Sequence, residues 1–235
     1  MKLLYDLHSH ILPGVDDGAK TADDSLVLIN RLKRAGVTDI CLTPHYYTHR
    51  ESLADFDKRR QEAFRNFKFM VEDDVTLHLG AEVYVTKYLF SNEEDLKTVC
   101  YEGTNYMLTE FAYSSTFKDE SLTLISKLIN NYSIRPVLAH VERYPYLLKH
   151  PDVIEDLIDM GVIIQSNACS YTEFPLKLKL MKLLKNGYIQ VIGSDAHSLN
   201  RNTPDAYASF SEIISKKLSS DYISQINSIS AEILK

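Results

Sequence analysis

The chain has 235 residues, 45% hydrophobic and 25% charged, with a formal net charge of −6. That length supports one sizeable core, so a single domain over residues 1–235 is expected, and the acidic balance excludes a broad positive field for nucleic acid or an anionic membrane surface. Apolar stretches are broken within about ten residues, short of the roughly 20 that span a bilayer, and no signal-peptide pattern precedes Tyr5, so a cytoplasmic protein without membrane insertion is expected.

Along the chain, β-like runs alternate with stretches of helical spacing. The first run, LLYDLH (3–8), leads into a His-x-His pair and the acids of GVDDG, and a helix is predicted over 22–35. Then follow DICLTPH (39–45), a helix over 52–70, TLHLGAEVYV (76–85), YMLTEF (106–111), a helix over 119–131 and RPVLAHV (135–141). Helices over 151–160 and 176–186 flank VIIQSNA (162–168), and IQVIGSDA (189–196) precedes a helical tail from about 204. Gly36, Gly161 and Gly187 stand where helix-stopping glycines belong. Such alternation favours a parallel sheet, open or closed, and about seven β/α units in this length favour the closed barrel.

Costly polar residues recur at the same end of run after run. His8 and His10 follow LLYDL, His45 ends CLTP, Glu82 lies in LGAEV, Glu110 ends MLT, His140 ends PVLA, and Asp195 and His197 end VIGS. In a β/α barrel the C-terminal strand ends meet at one mouth, so these side chains would converge. Residues i and i+2 of a strand share a face, which lets His8 and His10, or Asp195 and His197, chelate one ion. Clustered acids and histidines desolvate and repel one another unless cations hold them, and nitrogen and carboxylate donors without thiolate suit manganese, iron or zinc. Each motif has a plainer reading, as hydrogen-bonded core or ion pair, and His49, His78 and His150 are assigned to it. Cys41, Cys100 and Cys169 form no metal clip, disulfide framework or C-x5-R phosphate loop, so no cysteine chemistry is expected.

DLHSHILPGVDDG, TPHY, GAEV, LTEF, AHVERY and GSDAH, spread over residues 6–197, resemble the successive motifs of the polymerase and histidinol phosphatase (PHP) superfamily of metal-dependent phosphoesterases. Within it, HSHILPGVDDG and HVERY are most similar to the bacterial tyrosine-protein phosphatases encoded with capsular and exopolysaccharide synthesis genes. The resemblance implies a distorted (β/α)7 barrel, TIM-like and α/β in class, carrying three divalent metal ions, with Mn favoured and Fe or Zn possible. It implies a first metal on His8, His10, Glu82 and Asp195, a second bridged by Glu82 and held by Glu110 and His140, and a third on Asp17, His45 and His197. The implied reaction is hydrolysis of phosphotyrosine by a metal-bound hydroxide, and the implied substrate is the tyrosine-rich tail of a polysaccharide-synthesis autokinase.

Arg143, three residues after His140, is a candidate clamp on phosphoryl oxygens, because a guanidinium matches them with paired hydrogen bonds; alternatively it pairs with Glu142. Arg201 is a second candidate. A phenolate with a parent pKa of about 10 leaves more easily than an alkoxide, so no strong general acid is required. Three other readings stay open: a histidinol-phosphate or other small-molecule phosphatase, a nuclease, and an inactive metal-binding regulator. The nuclease is disfavoured by the acidic charge and the lack of a strand-binding segment. Tyr46, Tyr47, Tyr113 and Tyr171 stand near strand ends as possible walls for a substrate ring.

Overall fold

The computed structural model describes residues 2–91 and 95–235. Strands β1 (Tyr5–Ser9), β2 (Asp39–Leu42) and β4 (Thr76–Leu79) form one parallel sheet in the order β1-β2-β4. Strands β3 (His45–Tyr46), β5 (Glu82–Tyr84), β6 (Tyr106–Glu110), β7 (Arg135–Leu138), β8 (Ile163–Asn167) and β9 (Val191–Gly193) form a second, paired in that order and parallel throughout. Ala196 pairs in parallel with Ser9, and the Asp195 and His10 amides donate to the His8 and Ala196 carbonyls at 2.8 and 2.9 Å. The last run therefore lies against the first, and the sheet curls into the expected distorted barrel.

Two predicted runs are each broken into two short strands. The 39–45 run breaks at Thr43 and Pro44, because proline offers no N–H to the ladder. Thr43 fills part of the gap by accepting from the Ser9 amide through Oγ1 at 3.1 Å. The 76–85 run breaks at Gly80 and Ala81, where the Gly80 amide reaches back to the Leu42 carbonyl at 2.9 Å. Beyond the breaks the register sets His45 directly beside Glu82. The breaks thus move two polar side chains to the barrel mouth without losing pairing.

Helices cover the outside: α1 (Ala22–Ala35), α2 (Leu53–Phe67), α3 (Glu120–Tyr132), α4 (Pro151–Asp159), α5 (Leu176–Lys185), α6 (Asp205–Lys217) and α7 (Ser220–Ile233). Thr21 and Asp24 cap α1 reciprocally, and Gly36 ends it with φ of +103°, a left-handed stop that glycine reaches without steric cost. Gly161 and Gly187 take positive φ in the same role. The predicted 52–70 helix ends at Phe67 and tightens into a 3-10 turn over Lys68–Met70, and the helical tail divides in two at Leu218 and Ser219. The short turn over Val141–Arg143 has no hydrophobic period to announce it. Among the described residues no helix is long and apolar enough to cross a membrane.

One buried cation ties this scaffold to the mouth. Arg60 of α2 donates to the Gly80 carbonyl at 2.8 Å, to the Thr98 carbonyl at 2.7 Å and to Asp57 at 2.6 Å. It fixes the turn two residues before Glu82. Replacing Arg60 by Met strands two carbonyls and a carboxylate, so the metal-depleted protein should lose about 3 kcal/mol of stability in urea unfolding. An unchanged midpoint would contradict that role.

Candidate metal centre

Glu82, at the start of β5, is buried and stands at the centre of the polar cluster. Its Oε2 lies 3.3 Å from His8 Nε2, 3.3 Å from His10 Nε2 and 2.9 Å from His45 Nδ1, and its Oε1 lies 2.7 Å from His140 Nε2. His140 Nε2 is also 3.6 Å from Glu110 Oε1. Asp195 Oδ1 lies 3.3 Å from His10 Nε2 and 3.4 Å from His197 Nδ1, while Asp17 Oδ1 stands 3.6 Å from both His45 and His197. All nine candidate ligands named from the sequence thus converge on one mouth.

Hydrogen bonding does not satisfy this cluster. Glu82 Oε2, though ringed by three imidazole nitrogens, has no aligned hydrogen-bond donor, and His45 Nδ1 beside it and His197 Nε2 beside Asp17 also lack partners. His8 Nε2 and His10 Nε2 face each other at 3.1 Å. Orphaned buried polar atoms are costly, and donors aimed at a common point are what a cation requires. Three groups place ligand atoms within 4.8 Å of one another: His8, His10 and Glu82; His45, Glu82 and Glu110; and His10, Asp17, His45 and His197. The distances therefore put His10 also with the Asp17 group and His45 also with the Glu110 group. Imidazole and carboxylate donors without thiolate fit manganese, iron or zinc.

The electrostatics follow from burial and mutual contact. Burial alone would raise the Glu82 carboxyl, but the His8 charge and the imidazoles of His10, His140 and His45 hold it well below the usual range. Asp195 is likewise held low against burial by His8, His10 and Arg143. His197 is pushed down to about 4 by its burial and the neighbouring His10 charge. His140 and Asp195 both adopt left-handed backbone, with φ of +36° and +53°. Such strain on non-glycine residues, about 1–2 kcal/mol each, persists where surrounding contacts dictate it.

A second layer orients the ligand candidates, and the sequence reading missed it. Asp16 Oδ2 accepts from His10 Nδ1 at 2.6 Å and from the His45 amide at 3.0 Å, while its Oδ1 accepts from the Gly18 amide at 2.8 Å. A carboxylate on Nδ1 leaves the His10 Nε2 lone pair facing the cluster. Gly18 makes this fold of the loop possible, because a Cβ there would sit 1.9 Å from the His10 carbonyl oxygen. Asn167 and Asn202 donate to Asp195 Oδ2 at 2.8 and 3.0 Å, which leaves Oδ1 to the cluster. Gln165 accepts the His140 amide at 2.5 Å and donates to Asn167 at 2.9 Å. A buried strand reading Gln-x-Asn, with both amides on one face, was the available signal.

Arg143 ion-pairs with Asp195 through Nη2 and donates to the Tyr113 hydroxyl at 3.3 Å. It does not pair with Glu142, whose Oε1 accepts from the Asn167 amide and the Ser170 hydroxyl, each at 2.9 Å. Arg201 lies farther out, 2.5 Å from Asp17 Oδ2, with both side chains about half exposed. Tyr113 also donates to Glu110 Oε1 at 2.7 Å. Tyr47 and Tyr113 stand at the mouth, whereas Tyr46 and Tyr171 are buried in the core. His78 pairs with Asp39 at 3.0 Å and His150 stacks on Tyr146, the ordinary roles expected of them. Burial pushes the Cys100 thiol up to about 12 and Cys169 to about 11, and also holds Cys41 well above its ordinary value, so none is poised as a thiolate.

Known proteins resemble the chain over nearly its whole length. A family model for capsular polysaccharide synthesis, CpsB/CapC, matches residues 4–234. The tyrosine-protein phosphatase CpsB of Streptococcus pneumoniae is 30% identical over 227 residues, covering 91% of this chain and 90% of its own. The tyrosine-protein phosphatase CpsB of Streptococcus agalactiae is 28% identical over 215 residues, 86% of each chain. A solved structure from work on the metal-dependent tyrosine phosphatases YwqE of Bacillus subtilis and CpsB of Streptococcus pneumoniae superposes with a TM-score of 0.81 at 22% identity, over 98% of this chain and 94% of that one.

The contacts of Asp16 generate a test that does not depend on turnover. Asp16→Asn removes the charge that orients His10, so metal affinity, measured by competition with a chelator, should fall roughly 10- to 100-fold. Unchanged affinity would remove Asp16 from the support of the cluster.

Proposed function

The chain belongs to the CpsB/CapC capsular polysaccharide synthesis family, and from that premise we propose that it is a metal-dependent protein-tyrosine phosphatase acting in capsule or exopolysaccharide production. The observation that carries the reading is Glu82 Oε2, a buried carboxylate oxygen among three imidazole nitrogens with no hydrogen bond of its own. Its proposed ligands are His8, His10, Asp17, His45, Glu82, Glu110, His140, Asp195 and His197, holding three divalent ions, manganese first and iron or zinc as alternatives. The proposed substrate is the phosphotyrosine-bearing tail of a tyrosine autokinase, met in the cytoplasm. Family membership supports the capsule role and the phosphotyrosine; the donor set supports the metals.

Bound metals of this kind polarise phosphoryl oxygens and activate water for in-line displacement. The chain's own groups do the rest. Arg143 reaches the cluster at Asp195 and, with its other arm, Tyr113, which supports a role in which its fork would turn to non-bridging phosphoryl oxygens as charge builds on them. Arg201 pairs with Asp17 at the rim, and on this reading it would meet the same dianion from the solvent side. Asp16, Asn167 and Gln165 keep His10, Asp195 and His140 in place through the reaction. The departing tyrosine phenolate, with a parent pKa of about 10, needs no dedicated acid. A histidinol-phosphate phosphatase would use similar chemistry, but the relatives named above are tyrosine phosphatases, which sets that alternative second.

Three experiments test this reading. Exhaustive chelation should abolish phosphotyrosine hydrolysis and Mn²⁺ or a similar ion should restore it; full activity without detectable metal would overturn it. Arg143→Ala should lower kcat roughly 10²-fold or more with bound metal unchanged, and Arg143→Lys should recover part of the loss. Wild-type kcat in Arg143→Ala would remove Arg143 from the mechanism. A variant with Cys41, Cys100 and Cys169 all changed to Ala should keep its turnover, whereas its loss with fold and metals intact would point back to a thiol nucleophile.

A further inference from the structure

The arginines around the cluster are paired, with one exception. Arg143 meets Asp195, Arg201 meets Asp17, and Arg59 meets Glu51 at 2.5 Å as well as the Val15 carbonyl. Arg50 instead lies over the Tyr47 ring, its guanidinium carbon 4.2 Å from the centroid, and among the described residues it has no ion pair with a carboxylate. A cation–π contact leaves guanidinium N–H groups free for an oxyanion, a carboxylate or a phosphate. Tyr47 in turn stands 5.2 Å from the His45 ring, centroid to centroid. Arg50 therefore stands beside the cluster, one aromatic ring farther out than His45.

Two cavities meet at this residue. One of about 290 Å³ is bordered by Asp17, His45, Tyr47, Arg50, Glu51 and Arg59. The other, about 300 Å³, is bordered by Tyr46, Thr48, His49, Arg50, Glu51 and Tyr88. Both share Arg50 and Glu51, so they lie side by side from the cluster residues Asp17 and His45 to the loop before α2. We infer that this pair of cavities takes an extended polypeptide, and that Arg50 reads a second anionic side chain, a carboxylate or a second phosphate, close to the scissile phosphotyrosine. The inference rests on the phosphatase reading and deepens it.

Arg143 and Arg201 already stand on the cluster carboxylates Asp195 and Asp17, whereas Arg50 also borders a cavity that contains none of the cluster residues, which favours an anion beyond the scissile phosphate as its ligand. An extended chain advances about 3.3 Å per residue with alternate side chains on one face, so the residue about two positions away is within reach. The charge also fits. The protein as a whole carries −6, so an acidic peptide finds attraction where a cation is left unpaired and repulsion elsewhere.

The test compares three phosphotyrosine peptides carrying, two residues to either side of the phosphotyrosine, Gln, Glu or a second phosphotyrosine. With the metal-loaded wild type, kcat/KM should rise roughly three- to tenfold for at least one anionic peptide over the Gln peptide, the scale of a partly exposed charge pair, and fall back with added salt. Arg50→Gln should bring the ratio close to one. Comparing the Glu and phosphotyrosine peptides tells which anion is read. Equal rates on all three peptides, or a preference that survives in Arg50→Gln, would overturn the inference while leaving the phosphatase reading intact. No hydrolysis of any peptide by the wild type would overturn both.

Discussion

The structure is organised around a carboxylate that cannot be satisfied by protein alone. Glu82 is buried between imidazoles from β1, the loop after it, β3 and the end of β7, and one of its oxygens accepts no hydrogen bond. Four acids and five histidines packed together carry a heavy desolvation cost, which divalent cations on this donor set would offset. The rest of the mouth serves this arrangement. Gly193 lies where a Cβ would meet His8 Cβ at 2.5 Å, and the left-handed backbone at His140 and Asp195 aims two side chains that regular strands would turn elsewhere.

Much of this was legible in the sequence, and the reason is periodicity. Seven apolar runs separated by helical stretches mark a β/α barrel, and polar residues at the ends of those runs can meet only at its mouth. His8, Glu110 and His140 needed no more than that. The strand breaks were not legible, because Thr43, Pro44, Gly80 and Ala81 sit inside continuous β-like runs and interrupt them through hydrogen-bond geometry that composition does not record.

Neighbouring acids exposed a second limit. Asp16 and Asp17 are adjacent, yet Asp16 turns inward to His10 while Asp17 stays about half exposed beside Arg201. The tight loop at Gly18 decides between them, and spacing alone does not reveal it. Arg143 shows the same limit from the other side: its neighbour in sequence, Glu142, is committed to Asn167 and Ser170, and its partner in space lies fifty-two residues away. Side-chain partnerships of this kind depend on which strands are adjacent, a property of the closed sheet rather than of any local segment.

The central claim is that cations complete the cluster around Glu82. Its most direct test is a metal count on the purified, folded protein by elemental analysis, joined to anomalous diffraction at the edge of the metal found. The account predicts about three ions per chain, with peaks between Glu82 and the imidazoles of His8 and His10, between Glu82 and Glu110, and among Asp17, His45 and His197. A folded protein that hydrolyses phosphotyrosine with no metal present, or whose metal lies away from Glu82, would contradict it.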